Sequence, residues 1–180
     1  MNIIEIFTKS LILIFSFDKD LWEIIVLSLY VSITALILAS FFGLLVGYYL
    51  AIKNFFLKNF ILIVLNSLMG IPPVVVGLIV YFIFASGGPL GILQLLYTPT
   101  AMIIAQVIII FPIVTSLSHE IFDQNWREYR DQLRSINMTF FGILFIISKH
   151  SYFLVITAIL SAFGRAISEV GAVMIVGGNI

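Results

Sequence analysis

Four stretches of this chain are apolar for long enough to cross a lipid bilayer: residues 21–52, 59–84, 100–117 and 151–176. A spanning helix needs about 20 mostly apolar residues. The first stretch exceeds that, so it must tilt or project into water. Lipid offers no partners to backbone N–H and C=O groups, so each stretch is expected to be helical. Composition agrees. Hydrophobic residues make up 62% of 180 positions, charged residues 10%, and mean hydropathy is +1.20. A soluble domain is about 45–50% apolar and about 25% charged. The expected fold is therefore an all-α, polytopic transmembrane helical bundle forming one membrane domain.

Residues 3–17 are apolar but short, and Glu5 and Lys9 interrupt them. Three readings stand: an interfacial helix within residues 1–20, a short extra span, or a signal-peptide core. The first is preferred. Ser16-Phe17-Asp18 is a poor cleavage site, and no basic region precedes the run.

Orientation follows from lysine and arginine placement. Lys53 and Lys58 flank the first turn, and Arg127, Arg130, Arg134 and Lys149 lie in the segment 118–150. Residues 85–99 carry no positive charge. The two basic segments are expected in the cytoplasm, and the Ser86-Gly-Gly-Pro-Leu-Gly91 turn outside.

Within the segment 118–150, residues 125–136 contain no glycine or proline and read as a helix. Trp126, Tyr129, Leu133 and Ile136 recur at three- and four-residue steps, an amphipathic stripe, while Glu128 and Arg134 are read as solvated. Asn137 tolerates the left-handed conformation that ends helices, and a second apolar helical run starts near Thr139. A linker on the membrane surface and a docking helix for a cytoplasmic partner both fit. The segment is longer than two neighbouring spans need, which favours docking.

Two features place unusual groups inside the membrane. Arg165 and Glu169 stand at i,i+4 in the fourth stretch, and each charge costs about 2.5–3.5 kcal/mol at a helix centre. Ser168, Gly164 and Gly171 surround them, with Gly177-Gly178-Asn179 following. The pair serves either as an ion-pair bond between helices or as the lining of a water-filled path or gate; the two are compatible. In the second stretch, Gly70-Ile71-Pro72-Pro73 removes two backbone donors and disfavours helix before them. A simple kink and a broken helix facing a substrate path are both open readings.

Other chemistries are excluded by what the sequence lacks. There is no cysteine, so no disulfide or thiolate site. No G-x-x-x-x-G-K-[ST] is present, so the chain carries no P-loop of its own. His119-Glu120 is not followed by a second histidine at zinc-protease spacing, and no metal site or cofactor is expected. Zero formal net charge argues against nucleic acid. A non-transport assembly or signalling subunit is the rival class.

The segment Phe163-Gly-Arg-Ala-Ile-Ser-Glu-Val-Gly-Ala-Val-Met-Ile-Val-Gly-Gly-Asn-Ile180 resembles the signature of oxyanion-importer permeases of the ATP-binding cassette (ABC) transporters. Molybdate and sulfate permeases carry a related Arg-x-x-Gly-Glu-[aromatic]-Gly-Ala pattern. Here Ser168 stands for the glycine and Val170 for the aromatic residue. Leu68-Met-Gly-Ile-Pro-Pro-Val-Val-Val-Gly-Leu-Ile-Val-Tyr81, Gly88-Pro-Leu-Gly91 and Thr98-Pro-Thr-Ala-Met-Ile-Ile-Ala-Gln106 also look like the tungstate branch. The resemblance implies the type I importer fold and a multi-pass permease of a bacterial or archaeal cytoplasmic membrane. It implies a homodimer of such chains, a separate cytoplasmic ATPase subunit, an extracytoplasmic substrate-binding protein and tungstate as cargo, with molybdate or sulfate as alternatives.

The resemblance also implies roles for particular residues. Arg165, Glu169, Ser168, Gly171, Asn179, Pro72 and Pro73 fall on the translocation path or gate. The family's E-A-A-x-x-x-G docking loop falls on Asp131, Gln132 and Leu133, with Asn137 in place of the glycine; Arg130 and Arg134 flank it. Asp replaces Glu, and neither alanine is kept. Such permeases continue past Gly-Gly-Asn-Ile into a further span, so the expectation is a chain lacking a final C-terminal span, and a truncated, non-transporting subunit is a further alternative.

Overall fold

The computed structural model describes residues 18–169 and 171–178. The N-terminal run 3–17, Val170 and Asn179 lie outside the described residues.

The first stretch forms α1 (Lys19–Ile52, 34 residues). Asp18 caps it, its carboxylate accepting from the Leu21 N–H at 3.1 Å, and Asp20 in the first turn complements the helix dipole. At 1.5 Å per residue α1 is about 51 Å long, well beyond the roughly 30 Å hydrocarbon core. A short extended turn leads to α2 (Lys58–Met69) and α3 (Pro73–Phe84).

Between α2 and α3 the axis bends by 103°, far more than a proline kink. Pro72 is extended (φ −60°, ψ 128°), and Pro73 opens α3 at a position where its missing N–H costs nothing. The second stretch is thus a broken span or a re-entrant pair. A loop with one 3₁₀ turn (Gly91–Leu93) then reaches Thr98, which caps the next helix ahead of Pro99.

That helix, α4 (Pro99–Ser135), runs 37 residues without interruption. The sequence reading separated a span at 100–117 from a helix at 125–136; the structure joins them. Polarity changes near Ser118, yet no glycine or proline follows until Asn137 ends the helix, and hydrogen bonding between turns is indifferent to side-chain polarity. Asn137 has φ 50°. Its N–H donates to the Arg134 carbonyl at 3.0 Å, and the Met138 N–H to the Leu133 carbonyl at 3.3 Å. This is a complete Schellman closure.

Thr139 caps α5 (Phe140–His150), which turns through 81° into α6 (Tyr152–Ser168). The expected fourth stretch is itself interrupted: α6 ends at Ser168, and α7 spans Gly171–Gly177. Among the described residues two helices, α1 and α4, are long and apolar enough to cross a membrane alone; counting each bent pair as one span gives up to four.

α1 and α4 pack along most of their length through a seam of small residues. Ala35, Ala39, Gly43, Gly47 and Ala51 recur every four positions on α1, and all are buried. A methyl group on Gly47 would lie 2.1 Å from Ser118 Oγ and 2.8 Å from the Thr115 carbonyl oxygen. Close backbone approach through small residues is how helices associate where lipid removes the hydrophobic driving force. The core has two parts. One gathers Ala35, Val80, Ile110, Ala162 and Val176 from α1, α3, α4, α6 and α7. The other gathers Tyr48, Phe122, Trp126, Leu133, Ile143 and Ile147 and fastens α5 to the far end of α4. Outside them, Phe56, Phe60, Phe82, Phe145 and Phe153 project outward, a surface suited to lipid rather than water.

Candidate functional site

The charged pair sits where α6 stops. Arg165 Nε lies 2.7 Å from Glu169 Oε1, an ion contact in which the N–H does not point at the oxygen. Arg165 occupies the last turn, where a cation complements the helix dipole. The Ser168 hydroxyl donates to the Arg165 carbonyl at 2.9 Å, meeting one of the acceptors that a helix end leaves open. The carboxylate is the more buried partner: the Glu169 side chain is 11% exposed and Arg165 38%. The guanidinium therefore keeps a free face while the carboxylate is enclosed.

Two of the helix breaks, the one at Pro72–Pro73 and the one after Ser168, meet. α3, which starts at Pro73, packs directly on α7, which starts at Gly171. A methyl on Gly171 would come within 3.1 Å of Val74 Cγ2, and one on Gly77 within 2.9 Å of the Ala172 Cα. The Pro72–Pro73 break and the Arg165–Glu169 break thus belong to one region. The C-terminal end of α7 is also held. The Tyr97 N–H donates to the Val176 carbonyl at 3.0 Å, with Gly178 (φ 67°) against the Tyr97 ring. A cavity of about 310 Å³ lies between α1, α4, α6 and α7, with Ser28, Ser32, Gln106 and Glu169 in its wall.

The second candidate region is the opposite end of α4. Arg130, Asp131, Gln132, Arg134 and Asn137 are exposed, whereas Leu133 turns inward and is 6% exposed. Of the expected stripe, Trp126 and Leu133 are buried, Tyr129 packs at the edge, and Ile136 is exposed because it lies past the last helical turn. Arg134 lies over the Trp126 ring at 5.5 Å, and the Tyr129 hydroxyl is 3.3 Å from His150 Nε2. Tyr48, fully buried on α1, donates its hydroxyl to the Phe140 carbonyl. These contacts present the exposed residues on a fixed platform. Lys58 reaches Asp123 at 3.7 Å and ties the start of α2 to α4, and Arg127, one turn on in α4, reaches the same carboxylate at 2.7 Å.

The sequence of residues 39–180 matches the family described as the binding-protein-dependent transport system inner membrane component. The chain belongs to this family. It is an inner-membrane transport subunit with the all-helical fold of type I importer permeases. It is 40% identical over 178 residues to the tungstate uptake system permease protein TupB of Peptoclostridium acidaminophilum, covering 99% of this chain and 78% of that one. A probable anion ABC transporter permease protein of Haloferax volcanii is 39% identical over 158 residues, 88% of this chain and 68% of that one. TupB of Campylobacter jejuni is 33% identical over 174 residues, 97% of this chain and 73% of that one.

Two groups escaped the sequence reading. The small-residue seam of α1 was visible as a four-residue period of Ala and Gly. Gln106 closes the Thr98–Gln106 motif, and an amide amid Ile103, Ile104, Ile109 and Ile110 is itself a signal, since buried polar groups in a span demand partners.

Proposed function

We propose that this chain is the permease subunit of an ATP-driven tungstate importer, working as a homodimer in the lipid bilayer with a cytoplasmic ATPase and an extracytoplasmic binding protein. The observation that carries the reading is 40% identity to a tungstate uptake permease across 99% of the chain. The family's description, a binding-protein-dependent system, supports the delivery partner.

In this reading Arg165, Glu169, Ser168, Gly171 and Asn179 line the gate, with Pro72 and Pro73 shaping the helix that packs against it. A guanidinium already paired with a carboxylate is a weak trap for a dianion. Weak holding is what a path requires, because cargo that enters must also leave. Selectivity then resides in the binding protein. Arg130, Asp131, Gln132, Arg134 and Asn137 dock the ATPase on the cytoplasmic side, and Leu133 serves by anchoring the platform beneath them. ATP-driven closure of the ATPases moves that platform, and the spans alternate between outward- and inward-open arrangements.

Cellular tungsten and molybdenum, measured with and without the gene, test the cargo. Tungsten accumulation from trace medium is expected to fall on deletion and return with the gene supplied in trans; unchanged tungsten overturns the assignment. A different oxyanion, molybdate or sulfate, is the second reading, favoured by the Haloferax relative named only for an anion. Molybdate or sulfate that abolishes tungsten uptake at equimolar concentration supports it.

A further inference from the structure

Gln106 is 3% exposed in the apolar heart of the bundle. Its Nε2 donates to the Ala166 carbonyl at 3.1 Å and lies 3.4 Å from Ser32 Oγ. One side chain therefore joins three helices: α4, α6 and α1. Ala166 is in the last turn of α6, whose carbonyls lose their regular donors where the helix stops. The Glu169 N–H reaches the same carbonyl only at a stretched 3.4 Å. Lipid supplies no donor at this depth, and the Gln106 amide does. Gln106 and Glu169 also share the wall of one cavity.

The position along α4 gives this contact its meaning. Arg130 stands 24 residues further on in the same helix, about 36 Å at 1.5 Å per residue, with Pro112 between them. One helix carries the docking residues at one end and a hydrogen bond to the base of the charged pair at the other. We propose that Gln106 is a positioning residue that passes the movement of α4 to the end of α6, and so sets the place of Arg165 and Glu169. This rests on the gate reading of that pair.

The chain contains no cysteine, so Ile167→Cys gives a single thiol at an exposed position on the wall of the cavity that Gln106 and Glu169 share. In the assembled transporter in membrane vesicles, its rate of labelling by a maleimide is measured with and without ATP. The parent is expected to label at different rates in the two states. Equal rates in the parent overturn the gate reading itself, and the proposal with it. Gln106→Met keeps length and volume but removes the donor. It is expected to abolish the nucleotide dependence of labelling while ATP hydrolysis continues, because α4 still moves and α6 no longer follows. Retention of the parent's dependence overturns the proposal and leaves the gate reading standing. If that variant does not assemble, Gln106→Asn, whose amide stops one carbon short of Ala166, is read in the same way. Ile110→Ala, one turn along α4, removes packing without touching the amide. It is expected to keep the parent's dependence, and losing it equally shows that Gln106 only stabilises the bundle.

Discussion

Arg165 and Glu169 differ in burial, and the difference predicts unequal consequences. Removing Arg165 leaves an enclosed carboxylate without its partner; removing the charge of Glu169 leaves a guanidinium that still has an open face. Arg165→Ala is therefore expected to lower the thermal stability of the detergent-solubilised subunit more than Glu169→Gln does. The difference should be about 1–2 kcal/mol, below the 3–5 kcal/mol of a fully buried pair because solvent screens the exposed arginine. Arg165→Ala should also depress tungstate uptake while the ATPase stays bound; uptake at the parental rate removes the pair from the gate. The pair was legible in the sequence because i,i+4 spacing brings two side chains together on any helix. Its position at a helix end was not. Residues 165–169 contain no breaker, and the interruption depends on how α7 packs against α3.

Among the elements, α4 departs furthest from what the sequence conveyed. A change from apolar to polar composition near Ser118 reads as the end of a span, but it marks only a change of surroundings along one continuous helix. The proline pair was legible because its effect is local. Asn137 was legible for the same reason: an αL position suits asparagine. Asn137→Val should destabilise by about 1–2 kcal/mol, since a β-branched residue resists φ 50°, while Asn137→Gly should be neutral or mildly stabilising; thermal unfolding compares them. The α1 seam makes a graded prediction. Gly47→Ala comes within 2.1 Å of Ser118 Oγ and within 2.8–2.9 Å of the Thr115 carbonyl oxygen and the His119 backbone nitrogen, whereas Gly43→Ala meets side chains alone and none nearer than 2.9 Å. Gly47→Ala should cost about 1–3 kcal/mol and Gly43→Ala less, read as the yield of folded protein and its melting temperature.

Across the whole molecule, Lys53, Lys58, Arg127, Arg130, Arg134 and Lys149 gather at one end, and large apolar side chains are exposed over much of the remaining surface. Reversing Arg130 and Arg134 to glutamate should weaken copurification with the ATPase without lowering the amount of subunit in the membrane, because both side chains are exposed. Normal copurification counts against docking there. A lone thiol tests orientation: Ser86→Cys should react from outside intact cells, and Ser135→Cys only after permeabilisation. The helical class was readable from hydropathy, which acts through bulk solvent and needs no knowledge of packing. How the two broken spans meet was not readable, because it depends on contacts between residues far apart in the chain. The seam between α1 and α4 carries one more consequence. On α1 its contact surface is built from hydrogens and methyl groups, and the side chains of Val114, Thr115 and Ser118 on α4 sit against the two glycines. Together with the polar bonds from Ser118 to the Gly43 carbonyl and from Gln106 to Ser32, they fix the lengthwise register of one helix on the other.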